Sequence, residues 1–269
     1  MTSPSQLMAK KIRQSALRMV HKAKASHIAS ALSIVDILTV LYGQVMHFDP
    51  TDPCSATRDR FILSKGHACV AVYATLAEVG VISHKQLETY GDDFSFLMNH
   101  ISHKNKGVEF STGSLGHGLP FGVGKALASK IRGETSNVIV LLSDGEMDSG
   151  SNWEALMFAA HHKLNKLIII IDYNKIQSLD SIANTLGLEP LADKLKAFGC
   201  LVAEIDGHDH EEIFKSLSDC SDEKPKVIIA HTTKGKGVSF MENCVEWHYK
   251  NPDDAQLALA LAELEVLNA

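Results

Sequence analysis

Two unbroken apolar runs, Val138–Leu142 and Leu167–Ile171, constrain the fold of this chain more than any other feature. Both are short, β-branched and without polar alternation, as expected of strands covered on both faces in a parallel sheet. Trp153 to Leu164, between them, reads as the crossover helix of a right-handed βαβ unit. Asp144 closes the first run and Asn174 the second, thirty residues later. Two oxygen-bearing side chains should therefore stand side by side at the carboxyl ends of neighbouring strands, the edge where open α/β sheets bind ligands. A carboxylate, an amide oxygen and a loop carbonyl make a hard-oxygen set for Mg²⁺ or Ca²⁺, and Mg²⁺ commonly shares its shell with a phosphate. Asp144 also suits a helix start, where it would accept backbone N–H groups. Its match with Asn174 favours ligation.

The rest of the chain continues the alternation of helix and strand. Helical spacing runs from Gln6 to Lys24 and from Ile34 to Val45. Phe61–Leu63 reads as a strand feeding the turn Ser64-Lys65-Gly66-His67 and a helix to Val79. An irregular polar stretch spans Phe94 to Ser111, and a Gly- and Ala-rich helix runs from Gly116 to Ile131. Beyond the central unit come a helix at Leu191–Phe198, a strand at Cys200–Glu204, a helix from His210, a strand at Val227–Ala230 and a helix from Asp253 to Leu267. The pattern predicts an α/β fold: a doubly wound, mostly parallel sheet with helices on both faces. No linker, repeat or low-complexity tract divides it, so residues 1–269 are read as a single domain.

A formal charge of −6 argues against nucleic acid as a main partner, since phosphate backbones demand clustered Lys and Arg. The N-terminus, Met1-Thr2-Ser3-Pro4-Ser5-Gln6, has no basic-then-apolar signal pattern, and Leu167–Ile171 is too short to cross a bilayer. Five cysteines (Cys54, Cys69, Cys200, Cys220 and Cys244) include no Cys-x-x-Cys pair, which points to reduced thiols and a cytoplasmic location. Ser114-Leu115-Gly116-His117-Gly118 invites a dinucleotide reading. That reading fails because Phe121 stands where the third glycine belongs and no apolar strand precedes it.

Ser143-Asp144-Gly145-Glu146, followed by Asp172-Tyr173-Asn174-Lys175-Ile176-Gln177, resembles the thiamine-diphosphate motif of transketolases. Four further segments narrow the resemblance to that branch: Ser26-His27-Ile28-Ala29-Ser30, Ser64-Lys65-Gly66-His67-Ala68, Ser111 to Gly118, and His231 to Gly237 leading to Trp247-His248. They follow the family's order and cover nearly the whole chain. The resemblance implies Asp144, Asn174 and the Ile176 carbonyl as metal ligands. It implies Gly145 and Glu146 beside the diphosphate, with Ser30, Lys65, His67 and Lys234 toward the cofactor. Gly113, Ser114 and Leu115 would lie against the aminopyrimidine. His27 and His100 would meet substrate oxygens and move protons, which an imidazole titrating near neutrality can do, and His248 would stand between cofactor and substrate. His103 competes for the His100 role, but the distance from His100 to Gly107-Val108-Glu109 fits the family better.

The chain also departs from the family. Ser143 replaces a usual Gly, harmless at negative φ and strained at positive φ. Ser26 replaces another Gly, Ala29-Ser30 a common Gly-Gly, and Ser149 a glutamate of the subunit-interface network. Complete transketolases are far longer, and their cofactor lies between a diphosphate-binding and a pyrimidine-binding domain. The resemblance covers the diphosphate-binding half. It implies the N-terminal subunit of a split transketolase, moving a two-carbon ketol unit from a ketose to an aldose. Its partner would be a pyrimidine-binding C-terminal subunit, in an α2β2 assembly. Two other readings remain: a relative forming another acyloin, such as a deoxyxylulose-phosphate-type synthase, and a non-catalytic scaffold subunit suggested by Ser143 and Ser149.

Overall fold

The computed structural model describes residues 3–219 and 223–266. Ser3 starts the first helix, α1 (Pro4–Ala23): its hydroxyl accepts the Gln6 amide while the Gln6 side chain accepts the Ser3 amide. This reciprocal cap, with Pro4 at the first helical position, satisfies donors that a helix start leaves free. Two short helices follow, α2 (Ile28–Leu32) and α3 (Val35–Val40), the latter running into a π-helical turn at Leu41–Val45. The single helix expected over Ile34–Val45 is thus interrupted, and α2 was not expected because five residues are too few to show a period. Strand β1 (Arg60–Leu63) leads through a 3₁₀ turn at Gly66–Ala68 into α4 (Cys69–Glu78) and α5 (His84–Leu87). After the irregular stretch come α6 (Gly118–Arg132), β2 (Val138–Ser143), a 3₁₀ turn at Gly145–Asp148 and α7 (Gly150–His161). Then β3 (Leu167–Tyr173), α8 (Ile182–Thr185), α9 (Leu191–Ala197), β4 (Leu201–Asp206), α10 (His210–Ser218), β5 (Lys226–His231) and α11 (Asp254–Val266) complete the order.

The five strands form a parallel sheet in the order β1-β2-β3-β5-β4. Alternate residues of each inner strand enter opposite cores. Ile139, Leu141, Ile168, Ile170 and Ile228 join α1 to α4, α10 and α11 on one face. Val138, Val140, Leu142, Leu167, Ile169, Ile171, Val227 and Ile229 join α6, α7 and α9 on the other. The chain reverses direction across the sheet between β4 and β5, and α10 crosses on the face opposite α9, as right-handed crossovers require. The doubly wound architecture therefore follows from strands apolar on every residue. The crossover helix α7 starts three residues earlier than its apolar pattern indicates, and β4 runs two residues further.

Four cysteines (Cys54, Cys69, Cys200 and Cys244) are unpaired thiols, whereas Cys220, Leu267 and Met1-Thr2 lie outside the described residues. Among the described residues no helix is long and apolar enough to cross a membrane. Helix α6 lies close against β2 at Gly122, where an added Cβ would stand 2.4 Å from Val140 Cγ2. Gly122→Ala is expected to push α6 off β2 and lower stability by about 1–3 kcal/mol. Urea denaturation with the midpoint of wild type would overturn this packing account.

Candidate active site

The carboxyl ends of β1, β2, β3 and β5 converge on one ion pair. The Lys65 ammonium, fully buried, donates to Asp172 Oδ2 at 2.6 Å and to the Ser30 carbonyl at 2.7 Å. Asp172 is equally buried and also accepts from Ser33 Oγ at 2.7 Å, Asn174 Nδ2 at 2.9 Å and Thr232 Oγ1. Burial would raise the Asp172 carboxyl, but the adjoining ammonium and these hydrogen bonds hold it below its ordinary value. Lys65, expected toward the cofactor, directs its N–H groups to Asp172, Ser30 and Ser33. Asp172 carried no expected role. The signal was a lone carboxylate continuing a run of isoleucines, two residues before Asn174 and so on the same side of the strand.

Asp144 sits on the turn after β2, 2% exposed, its Oδ1 accepting the Gly145 amide at 2.7 Å and its Oδ2 the Lys175 amide at 2.6 Å. Burial and the neighbouring Asp172 push its pKa up to about 7. Asn174 Oδ1 accepts the Ile176 amide at 3.1 Å. The Ile176 carbonyl, with that of Gln177, accepts from Lys234 Nζ at 2.9 Å. The three oxygen donors thus come together around one strand end. Lys234, 2% exposed, also reaches His248 Nδ1 at 3.1 Å, and burial together with Lys65 lowers its pKa to about 8.

Glu146 lies behind the site rather than in it. Its buried carboxylate accepts from Ser64 Oγ, from the Gly116 amide at 2.8 Å and from the Ser143 amide at 3.3 Å. It ties the Gly113–Gly118 segment to the ends of β1 and β2. Ser143 has a negative φ and its hydroxyl accepts the Glu146 amide, so replacement of the usual glycine adds a cap without strain. Gly145 faces Gln177, whose amide donates to Asp148 at 2.9 Å. Gly113 lies against His100, a Cβ there being 3.0 Å from the ring, while Ser114 and Leu115 are exposed at the rim.

Above these groups four imidazoles cluster. Ring centroids of His27 lie 5.1 Å from His67, 5.8 Å from His100 and 5.1 Å from His248, and His67 lies 5.6 Å from His248. Tyr249, which carried no expectation, packs 4.8 Å from His248. The His27 amide donates to the His248 carbonyl at 2.9 Å, and His27 itself holds a left-handed φ of 72°. His67 Nε2 meets Ser30 Oγ at 2.9 Å. His103 stays outside the cluster, bonded to Ser111 at 2.6 Å. Near-neutral titration was expected of His27 and His100; in the structure both are lowered. Burial, with His100 and Lys234 nearby, lowers His27 to about 4; burial and Lys234 lower His248 to about 3. Burial and Lys65 take His67 well below its ordinary value, and burial lowers His100. All four are neutral hydrogen-bonding groups at pH 7.

A sheet edge presenting oxygen donors under a histidine cluster can hold an anionic ligand and an oxygen-rich substrate. The profile of the family described as "Transketolase, thiamine diphosphate binding domain" matches residues 4–263. The chain belongs to the transketolase family. It is 40% identical over 261 residues to an apulose-4-phosphate transketolase subunit of Phocaeicola vulgatus, covering 96% of this chain and 93% of that one. Its identity to the subunit of the same name from Actinobacillus succinogenes is 45% over 241 residues, covering 89% and 87%. The crystal structure of transketolase from Campylobacter jejuni superposes with a TM-score of 0.92 at 31% identity over 97% of this chain, which spans only 42% of that transketolase.

The buried pair makes a direct test. Asp172→Asn leaves the Lys65 ammonium uncompensated and should cost about 3–5 kcal/mol, with Lys65→Met in the same chain recovering part of the loss. Because the Asp172 pKa is lowered on folding, its contribution is present above the ordinary carboxylate range and lost as acid carries the pH through the folded value. Urea denaturation at neutral pH checks both variants, and a double variant no better than the single one would refute the pairing.

Proposed function

We propose that this transketolase-family chain, read as a single domain over residues 1–269, is the N-terminal subunit of a two-chain enzyme using thiamine diphosphate and Mg²⁺. The enzyme moves a two-carbon ketol unit from a ketose phosphate to an aldose. A separate pyrimidine-binding subunit completes the site in an α2β2 assembly. The observation that carries this reading is the convergence of Asp144, Asn174 and the Ile176 carbonyl beneath His27, His67, His100 and His248. Coverage of less than half of a full-length transketolase, and near-equal length with relatives that are themselves named as subunits, support the companion chain. The same names support a phosphorylated sugar as substrate.

The donor set fits a diphosphate-bound cation. Asp144 is a buried carboxylate that no ammonium or guanidinium contacts among the described residues, and burial with the neighbouring Asp172 raises its pKa. No cluster of three or more His, Cys, Asp or Glu side chains that could hold an ion occurs among those residues. A single carboxylate with neutral oxygens suits an ion that takes its remaining charge from phosphate oxygens. Thiamine diphosphate, when bound, supplies the carbanion chemistry. The protein's part is to bind and orient. Lys234 would set an ammonium toward the diphosphate, Gly113-Ser114-Leu115 would face the aminopyrimidine, and His27 and His100 would offer N–H groups to substrate hydroxyl and carbonyl oxygens. An anion beside Lys234 would offset one of the charges that, after burial, lower His27 and His248.

Asp144→Ala should abolish Mg²⁺-dependent thiamine-diphosphate binding to the assembled protein, since Asp144 brings the only formal charge among the oxygen donors. Calorimetry with wild-type affinity would remove it from the site. The function is tested by reconstitution with the companion chain and a panel of ketose phosphates. Ketol transfer should require both chains, and His27→Ala or His100→Ala should lower it by about 10²–10⁴-fold, the usual cost of an acid–base group. Turnover by this chain purified alone refutes the two-chain reading. A complex that binds cofactor but transfers nothing favours the scaffold alternative.

A further inference from the structure

The loop that carries Lys234 is fastened on several sides. Thr232 Oγ1 donates to Asp172, the Thr233 amide to His208 Nε2 at 2.8 Å and the Gly235 amide to the Ala29 carbonyl at 2.9 Å. The Lys236 carbonyl accepts from Arg13 Nε at 3.2 Å. Lys234 lies between the second and third of these anchors and turns inward. His208 comes from the turn after β4, and that turn is pressed onto the loop: a Cβ on Gly207 would stand 2.4 Å from Thr232 Cγ2.

The bond from Thr233 fixes the His208 tautomer. Nε2 receives an N–H and is therefore the unprotonated nitrogen, so Nδ1 carries the ring proton and donates it to Asp36 Oδ2 at 2.7 Å. Asp36 is itself immobilised. Arg13 grips both its oxygens, at 3.0 and 2.6 Å, and His210 Nε2 lies 3.2 Å from Oδ1. Both Asp36 and Arg13 are buried. The imidazole is thus a rigid bridge with one donor and one acceptor, seated on a fixed carboxylate and holding a backbone amide one residue before Lys234.

We propose that His208 is a positioning residue for Lys234: its bridge from Asp36 to the Thr233 amide fixes the loop that directs the Lys234 ammonium into the cofactor site. This rests on the reading of Lys234 as a cofactor-side residue. A side chain that merely filled the space would serve the fold but not this role, because the Thr233 amide would lose its acceptor and the loop its register.

The test is amide hydrogen exchange on the full chain, with calorimetry of thiamine diphosphate and Mg²⁺ on the complex reconstituted with the companion chain. His208→Leu should speed exchange over residues 232–236 and weaken cofactor binding by about tenfold, as expected from loss of one hydrogen bond to a part-buried amide. Exchange in β2 and β3 should be unchanged. His208→Gln, which keeps one donor and one acceptor, should behave as wild type in both measurements. Unchanged exchange at 232–236 in the Leu variant, acceleration spread over the whole sheet, or a Gln variant as defective as Leu overturns the proposal. If the Leu variant does not fold, the Gln variant decides alone: wild-type exchange and affinity support the bridge, and a tenfold loss in either overturns it. Lys234→Met is measured in parallel. Wild-type affinity in that variant refutes the role of Lys234, whereas the exchange comparison judges the His208 bridge independently.

Discussion

Two charges with no access to water, Lys65 and Asp172, hold the functional edge of this sheet together. A buried ammonium or carboxylate is costly to desolvate and persists only where its partner and hydrogen bonds are in place. Here that requirement draws in Ser30 from α2, Ser33 just beyond it, Asn174 from the end of β3 and Thr232 from the end of β5. Each of these residues adjoins, or is itself, a group assigned to the cofactor or substrate. The pair therefore does more than stabilise: it sets where four separate loops stop.

The electrostatics around it are layered. Beneath lies a neutralised pair. At its side is Asp144, whose pKa is raised by burial and by Asp172, and nearby is Lys234, whose pKa is lowered by burial and by Lys65. The imidazoles above are held neutral by burial and by the same ammonium groups. On the proposed reading, such an arrangement suits a ligand that is anionic at one end and carries a cation.

Much of this was legible from residue order. Isoleucine-rich runs without alternation announced strands buried on two faces, and Asp144 with Asn174 marked neighbouring strand ends. The histidine cluster followed from the resemblance, because four rings scattered from residue 27 to residue 248 share no local pattern that periodicity could detect. Three things were not legible. Lys65 sits in a motif shared with cofactor contacts, yet its burial is set by Asp172, more than a hundred residues away. The lowered imidazole pKa values are set first by burial, which only the tertiary structure determines. Helix α2 is too short for any period, and its boundary is set by Ser33, whose hydroxyl turns to the Ser30 carbonyl and Asp172.

The uniformity of β3 carries a consequence of its own. Leu167 to Ile171 offers a large aliphatic side chain to both cores at every step, so the apolar interior discriminates poorly between this pairing and one displaced by a single residue. A displacement would exchange the faces of the strand, as side-chain direction alternates residue by residue. Leucine and isoleucine would simply trade cores. Asp172 would not: it would turn away from Lys65 toward the layer of α6 and α7, leaving two unpaired charges in apolar surroundings. The hydrophobic run makes the strand, and the carboxylate at its end specifies which of two nearly equivalent alignments the strand adopts.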